Sequence, residues 1–313
     1  MRGSLALALA LALVFVPAPP LHAGASAGGR THGSAALEVW RDGAWRPLWR
    51  GDQAPERWSG ADPDFVRSLV WTPVAAGLEW SSARLACAAP AWRQKLIIVR
   101  LDPRKLRLSL ELDLTRDQQP AWTIDRVPGD AVFGVNAGQF ARALPWGWVA
   151  MDGVERFHAG LGPLSSAIAI DHQGIVSWTH GGAPAASGVV AGFQSYPTLL
   201  AGDGVVPAPL RSGLGVNVKH RDARLALGST RDGRLLIVMT RFDALGAIAS
   251  GIPLGPTTPE MAAIMGALGA SDAVMLDGGI SAQLAMRDPK RGATLRWPGI
   301  RKVPLGLIAR SPD

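Results

Sequence analysis

Cysteine is almost missing: Cys87 is the only one in 313 residues, so no intramolecular disulfide can form and stability must come from a buried core. No block of five or more Lys and Arg occurs, although the formal net charge is +7. Nucleic acid is therefore a poor match, and no nucleic-acid partner is expected; the basic balance fits acidic polymers, anionic lipid surfaces or phosphorylated substrates better. Histidine is sparse, and Glu155, His158, His172 and His180 have no metal-ligand spacing. They are expected to be solvated surface, with no metal and no cofactor. Past the first two dozen residues no apolar run is long enough to cross a bilayer, so no transmembrane segment is expected there.

What the chain does have is apolar content and punctuation. Hydrophobic residues make up 48% and charged residues 18%, and 37 Gly with 24 Pro mark many turns. This composition predicts a loop-rich, strand-containing globular fold. Arg2, the apolar run Leu5 to Val16 and the small residues around Ala23 form a secretory signal pattern over residues 1–23, with cleavage after Ala23, Ala25 or Ala27. A Gly/Ser/Ala-rich tether follows at 24–36 and a folded domain at 37–313. The address expected is periplasmic or secreted.

Strand signals begin with a weak hairpin from Leu37 to Trp49 around Asp42-Gly43. Gly77 to Trp80, Lys95 to Leu101 and the alternating Leu106 to Leu114 read as paired strands joined at Asp102-Pro103. Trp122 to Val127 suits a short helix. Ala131 to Val135 reads as a buried strand delivering Asn136, with Gly138 two positions on. Asn136 either points its amide at a ligand or serves as a turn residue bonding its own chain. Trp146 and Trp148 read as half-buried core. Hairpins are predicted around Asp152-Gly153 and His172-Gln173-Gly174. Arg301 to Ile308 reads as a closing strand with an edge proline.

Arg224 enters the apolar run Leu225 to Gly228, where a guanidinium needs a partner. An anionic ligand would meet it bidentately, and ion pairing with Asp222 or Asp243 is the alternative. The richest stretch is Thr257 to Met286. Thr257 and Glu260 have capping-box spacing with Pro259 in the first turn, and Met261, Ile264, Met265 and Leu268 share a helical face. Gly269 supplies a left-handed stop, and Ala273 to Leu276 is the unbroken apolar run of a strand covered on both faces. Asp277 thus ends a buried strand, followed by Gly278 and Gly279. Their N–H groups can form an anion-accepting concavity, or the three residues can form a plain hairpin turn.

The order of these features resembles the phosphodiester glycosidase family. The resemblance is carried by Asn136-Ala137-Gly138-Gln139-Phe140, by Pro197 to Leu200 with Asp203-Gly204, and by Arg224 to Gly228 before Arg231-Asp232-Gly233. It continues through Thr258 to Gly269 and Leu276-Asp277-Gly278-Gly279-Ile280-Ser281, and covers about Trp71 to Ile308. The family often has a small residue at the place of Ile280 and Thr at the place of Leu225, departures that bear on the shape of the sugar subsite.

The resemblance implies a hydrolase acting on a sugar-1-phosphodiester, with a sugar-phosphate or phosphodiester-linked glycan as substrate, in envelope or exopolysaccharide metabolism. Asp277 would be nucleophile or base at the anomeric carbon. Arg224 with the Gly278 and Gly279 amides would hold the phosphate, Asn136 and Ser281 would orient sugar hydroxyls or phosphate oxygens, and Gly138 and Asp203 would line the substrate site. The rival expectation is a non-catalytic glycopolymer-binding module. The fold expected is one α+β domain with a mixed or mostly antiparallel sheet and few helices.

Overall fold

The computed structural model describes residues 36–51, 55–87, 93–242, 255–289 and 292–312. The expected signal peptide and nearly all of the tether lie outside these, as does Asp243.

In chain order, hairpin strands β1 (Ala36–Arg41) and β2 (Ala44–Arg50) lead to helix α1 (Pro63–Ser68). Strands β3 (Thr72–Ala75), β4 (Leu78–Cys87), β5 (Arg93–Leu101) and β6 (Arg107–Leu112) follow. Next come β7 (Ala131–Asn136), β8 (Phe140–Ala141), β9 (Leu144–Pro145), β10 (Val149–Met151), β11 (Val154–Phe157) and β12 (Ser166–Asp171). Then come β13 (Val176–His180), β14 (Val189–Ser195), β15 (Thr198–Leu200) and helix α2 (Ala208–Ser212). The chain continues with β16 (Leu225–Thr230), β17 (Leu235–Phe242), helix α3 (Thr258–Ala267) and β18 (Ala270–Leu276), and then β19 (Leu284–Arg287), β20 (Thr294–Trp297) and β21 (Leu305–Arg310).

Every strand pairing among the described residues is antiparallel. The largest sheet runs β15-β18-β16-β17-β5-β4-β1-β2, with β3 joined to β4. Two five-stranded sheets run β11-β10-β14-β12-β13 and β20-β19-β7-β21-β6. The fold is thus α+β, mostly antiparallel, with few helices.

The central strands of the large sheet, β16, β17 and most of β5, are buried on both faces, which explains their unbroken apolar runs. Side chains alternate between faces along a strand: Ile97 and Val99 of β5 join a core with Val135, Ile168, Phe193 and Leu307 of the two smaller sheets. Leu96 and Ile98 point the other way, into a second core with Met261, Ile264 and Met265 of α3. Each such side chain contributes about 1.5–3 kcal/mol of burial energy. Helix α3 begins with the expected capping box, Thr257 accepting from the Glu260 amide and Glu260 from the Thr257 amide. It is buried on all sides rather than on one face, and Gly269, at φ 92°, ends it.

The hairpins around Asp42-Gly43, Asp152-Gly153 and His172 to Gly174 form as expected. Three expectations change. Strands β5 and β6, joined at Asp102-Pro103, do not pair: β5 lies between β17 and β4, whereas β6 pairs with β21 in another sheet. The Trp122 to Val127 segment forms only a 3-10 turn at Ile124–Arg126. The final strand starts after Pro304 and is interior, flanked by β7 and β6, so the proline stands outside the ladder rather than on an edge. Cys87 is buried, and burial pushes its thiol up to about 12, a structural rather than reactive cysteine.

Candidate active site

Strand register brings the two main candidates together. In the β16–β18 pair Leu225 faces Leu276, so the residues one step beyond, Arg224 and Asp277, leave the ladder at the same end. A cavity of about 290 Å³ opens there, with Asp222, Arg224, Asp277, Ser281, Arg301 and Gln139 in its wall.

Asp277 does not enter a hairpin. The chain turns through a 3-10 segment, Gly279–Ser281, into β19 of a different sheet. Asn136 and Gly138 fix this departure. Asn136 Nδ2 donates to the Asp277 carbonyl at 2.9 Å, and Asn136 Oδ1 accepts from the Gln283 amide at 2.9 Å. The Asp277 amide donates to the Gly138 carbonyl at 2.9 Å. Asn136 is fully buried, with both ends of its amide spent on the main chain. It positions the loop and does not face a ligand, which replaces the role expected for it. Gly138, at φ 66°, serves the same end through its carbonyl.

The side chain of Asp277 has one oxygen, Oδ2, buried without a hydrogen-bond partner. Burial pushes its carboxyl above the ordinary carboxylate range, against the opposing pull of a hydrogen bond from Ser281 and of the Arg301 charge; the Asp222 charge adds to the upward push. Ser281 is itself buried at the base of the cavity.

The two glycines serve close packing. A Cβ on Gly278 would lie 2.6 Å from the Ala223 carbonyl oxygen, and one on Gly279 would lie 2.9 Å from Asp222 Oδ2. The Gly279 amide donates to the Ala223 carbonyl at 2.7 Å. It is therefore committed to the fold and not offered to an anion, contrary to expectation.

Arg224 is half-buried, and burial lowers its pKa, opposed by the nearby Asp222 and Glu260 charges. Its Nε donates to the Pro256 carbonyl at 2.9 Å and its Nη2 to the His220 carbonyl at 2.6 Å. Neither alternative of the sequence reading describes this: part of the fork is anchored to main-chain oxygens while the residue still lines the cavity. Under the floor, buried Arg241 of β17 donates from Nη2 to the Ala282 carbonyl at 2.7 Å and the Pro298 carbonyl at 2.9 Å, bracing the loop that holds Ser281.

Asp203 lies elsewhere. It occupies a turn at φ 69°, exposed and paired with Arg231 at 2.7 Å, where Gly204 bonds Ser271 at the start of β18. That is the opposite end of the strand from Asp277, about 20 Å away at ~3.3 Å per residue. It takes no part in this cavity.

Two wall residues escaped the sequence reading as site candidates. Arg301 is exposed, its amide donates to the Ile280 carbonyl at 3.0 Å, and its guanidinium lies 5.6 Å from the Phe140 ring centre. No spacing signal marks it. Asp222 entered only as an ion-pair partner for Arg224, two residues away, and that nearness was the available clue. Beside the cavity, Gln139 donates to the Tyr196 carbonyl, and the Tyr196 ring meets Trp146 edge-on at 4.5 Å. Trp148, by contrast, is core.

Two larger clefts hold arginines that are already ion-paired. One of about 470 Å³ contains Arg310, paired with Asp130 at 2.9 Å; another of about 420 Å³ contains Arg100, paired with Glu79 at 2.8 Å. A hydrogen-bonded chain runs from Ser166 Oγ to His180 Nδ1 (2.7 Å) and from His180 Nε2 to Asp272 Oδ1 (3.1 Å). Ser166 is fully buried, so this chain ties β12 and β13 to β18 and presents no nucleophile; His180 is exposed, as expected, with both ring nitrogens engaged. Among the described residues, no three His, Cys, Asp or Glu gather to hold a metal ion, and no helix is long and apolar enough to cross a membrane.

Antiparallel sheets that present a carboxylate, its supporting amide and two arginines at one set of strand ends agree with the match of residues 127–310 to the NAGPA phosphodiester glycosidase family, and the chain belongs to that family. Among solved structures it resembles the zebrafish N-acetylglucosamine-1-phosphodiester alpha-N-acetylglucosaminidase catalytic domain, auto-inhibited by its pro-peptide. That likeness has a TM-score of 0.58 at 14% identity, covering 83% of this chain and 92% of that one. A hypothetical protein from Synechocystis aligns at 16% identity over 89% of this chain and 68% of its own, with TM-score 0.46. A putative exported protein from Burkholderia pseudomallei K96243 aligns at 16% identity over 73% and 77%, with TM-score 0.46. No curated protein sequence matches the chain.

Proposed function

We propose that the protein is an exported hydrolase that cleaves the bond between an anomeric carbon and phosphate in a sugar-1-phosphodiester of envelope or exopolysaccharide origin. The observation that carries this is Asp277: a carboxyl with one buried, unpartnered oxygen in the wall of a cavity that also holds Arg224 and Arg301. Burial that favours its neutral form suits Asp277 to give a proton to the departing phosphate oxygen rather than to attack as a free carboxylate. Arg301, exposed at the mouth, supplies positive charge to the phosphate as negative charge develops there, and Arg224 supplies more from below. Tyr196 and Trp146 offer apolar ring surface for a sugar beside Gln139.

The test is incubation of the purified protein with a panel of sugar-1-phosphodiesters in 18O water. Label in the released sugar supports the proposal; label in the phosphate means the other bond was cut and overturns it.

Ile280, 41% exposed at the cavity where the family often has a small residue, favours a second reading: a glycopolymer-binding module without turnover. Saturable binding by calorimetry with no sugar released over long incubation would select it.

A further inference from the structure

The cavity holds a second carboxylate that the proposed function leaves unused. Asp222 lies in the segment leading into β16, and its side chain is 24% exposed. Its Oδ1 accepts from the Ala223 amide at 2.8 Å, which ties that oxygen to the main chain. Its Oδ2 stands 3.8 Å from His220 Nε2, beyond hydrogen-bond distance, and so has lone pairs to offer. Position 279 is a glycine whose missing Cβ would press on this same oxygen at 2.9 Å, so the loop that carries Asp277 closes directly over the Asp222 carboxylate. Neither arginine nearby in sequence claims it: Arg221 bonds Glu260 through both Nη atoms, at 2.8 and 2.9 Å, and Arg224 directs Nε and Nη2 to the carbonyls of Pro256 and His220.

Resting on the hydrolase reading above, we infer that Asp222 is the general base of the reaction, taking a proton from the attacking water while Asp277 serves the leaving side. Glycoside cleavage divides acid and base work between two carboxylates across the scissile bond. The step balances. One water proton goes to Asp222, and the water oxygen bonds to the anomeric carbon. The bond from that carbon to the phosphate oxygen breaks with its electron pair on oxygen, which takes the Asp277 proton. A sugar and a phosphate monoester leave. The charged and titratable groups facing Asp222 are His220 and Arg224 from its own segment, Asp277 from the end of β18, and Arg301 from the segment before β21.

Asp222→Asn keeps an oxygen for the Ala223 amide and removes the base. On the substrate that the wild type turns over, kcat is expected to fall at least a hundredfold with KM within about threefold, and the limb of the pH profile that reports the base is expected to vanish. Asp222→Ala is expected to regain at least tenfold in rate with added azide, an anion that needs no base, with a glycosyl azide among the products. Asp277→Asn is expected to show no such rescue. A single cooperative thermal unfolding transition for each variant, at or above the wild-type midpoint, establishes that it is folded. Asp222→Asn with kcat within threefold of wild type and an unchanged pH profile overturns the inference, as does folded Asp222→Ala that azide leaves inactive. If the wild type cleaves and the Asp222 variants cleave equally, only this inference falls. If the wild type cleaves nothing in the panel, the hydrolase reading falls and the inference with it.

Discussion

Arg224 and Asp277 leave neighbouring strands at the same end, one residue past the paired Leu225 and Leu276. Antiparallel register alone thus sets a guanidinium beside a carboxyl, although 52 residues of chain separate them (277 less 224, less one). The guanidinium is held by two main-chain carbonyls that only a planar fork can reach together. Arg224→Lys keeps the charge and loses this geometry. We expect about 1–2 kcal/mol lower stability in urea unfolding, and kcat/KM on a sugar-1-phosphodiester lower by about tenfold or more. Unchanged values for both would show that the fork is not used.

Asp277→Asn should stop turnover and stabilise the fold. The folded-state pKa of Asp277 is raised, so its charged form is disfavoured by folding whenever the pH lies above the ordinary value of 3.8. Removing the charge relieves that penalty at neutral pH and gains little below pH 4, where the unfolded-state carboxyl is protonated as well. Melting temperatures of wild type and variant, compared at pH 7 and pH 3.5, check the sign: the gain should shrink as pH falls.

The Asp232–Arg234 pair predicts the opposite trend. The Arg234 guanidinium bonded to Asp232 is the main cause that holds this carboxyl down at about 2, against an ordinary 3.8. A depressed folded-state value gives stability that is present above pH 4 and lost as pH falls towards 2. Asp232→Asn should therefore flatten the acid limb of a stability–pH curve between those values. The pair is exposed, so the effect should shrink in high salt.

Asn136→Ala removes no group that faces the cavity, yet it should disable the site. It strands the Asp277 carbonyl and the Gln283 amide, both otherwise met at 2.9 Å. The cost expected is about 2–4 kcal/mol in chemical denaturation. Arg301→Ala should do the reverse. Its side chain is exposed, so stability should stay within about 0.5 kcal/mol while KM rises at least severalfold.

The local parts of this fold are written in local signals. The Thr257–Glu260 box, the Gly269 stop and the apolar run ending at Leu276 could be read directly, because each depends on residues within a few positions of one another. The division into sheets could not. Alternating leucines from Leu106 say that one face of a strand is buried, not that its partner is β21, some two hundred residues on, rather than adjacent β5. The site divides along the same line. Asp277 ended a recognisable strand and Arg224 entered one. The amide of Asn136, the amide of Gly279 and the placement of Asp222 and Arg301 depend on which distant main-chain groups come to meet them. Asp203 shows the converse: it sits in a turn after β15, and nothing in the sequence says that this turn meets the start of β18 rather than the end that carries Asp277.

Strand β21, threaded between β7 and β6, has a bearing on how the molecule matures. Nascent chain that has emerged only as far as Trp297 has neither Arg301 at the cavity mouth nor the neighbour that aligns the strand ending in Asn136. The cavity wall is thus completed only when residues 301–310 have joined the sheet, so a chain cut short of them should leave Asp277 in an unfinished site.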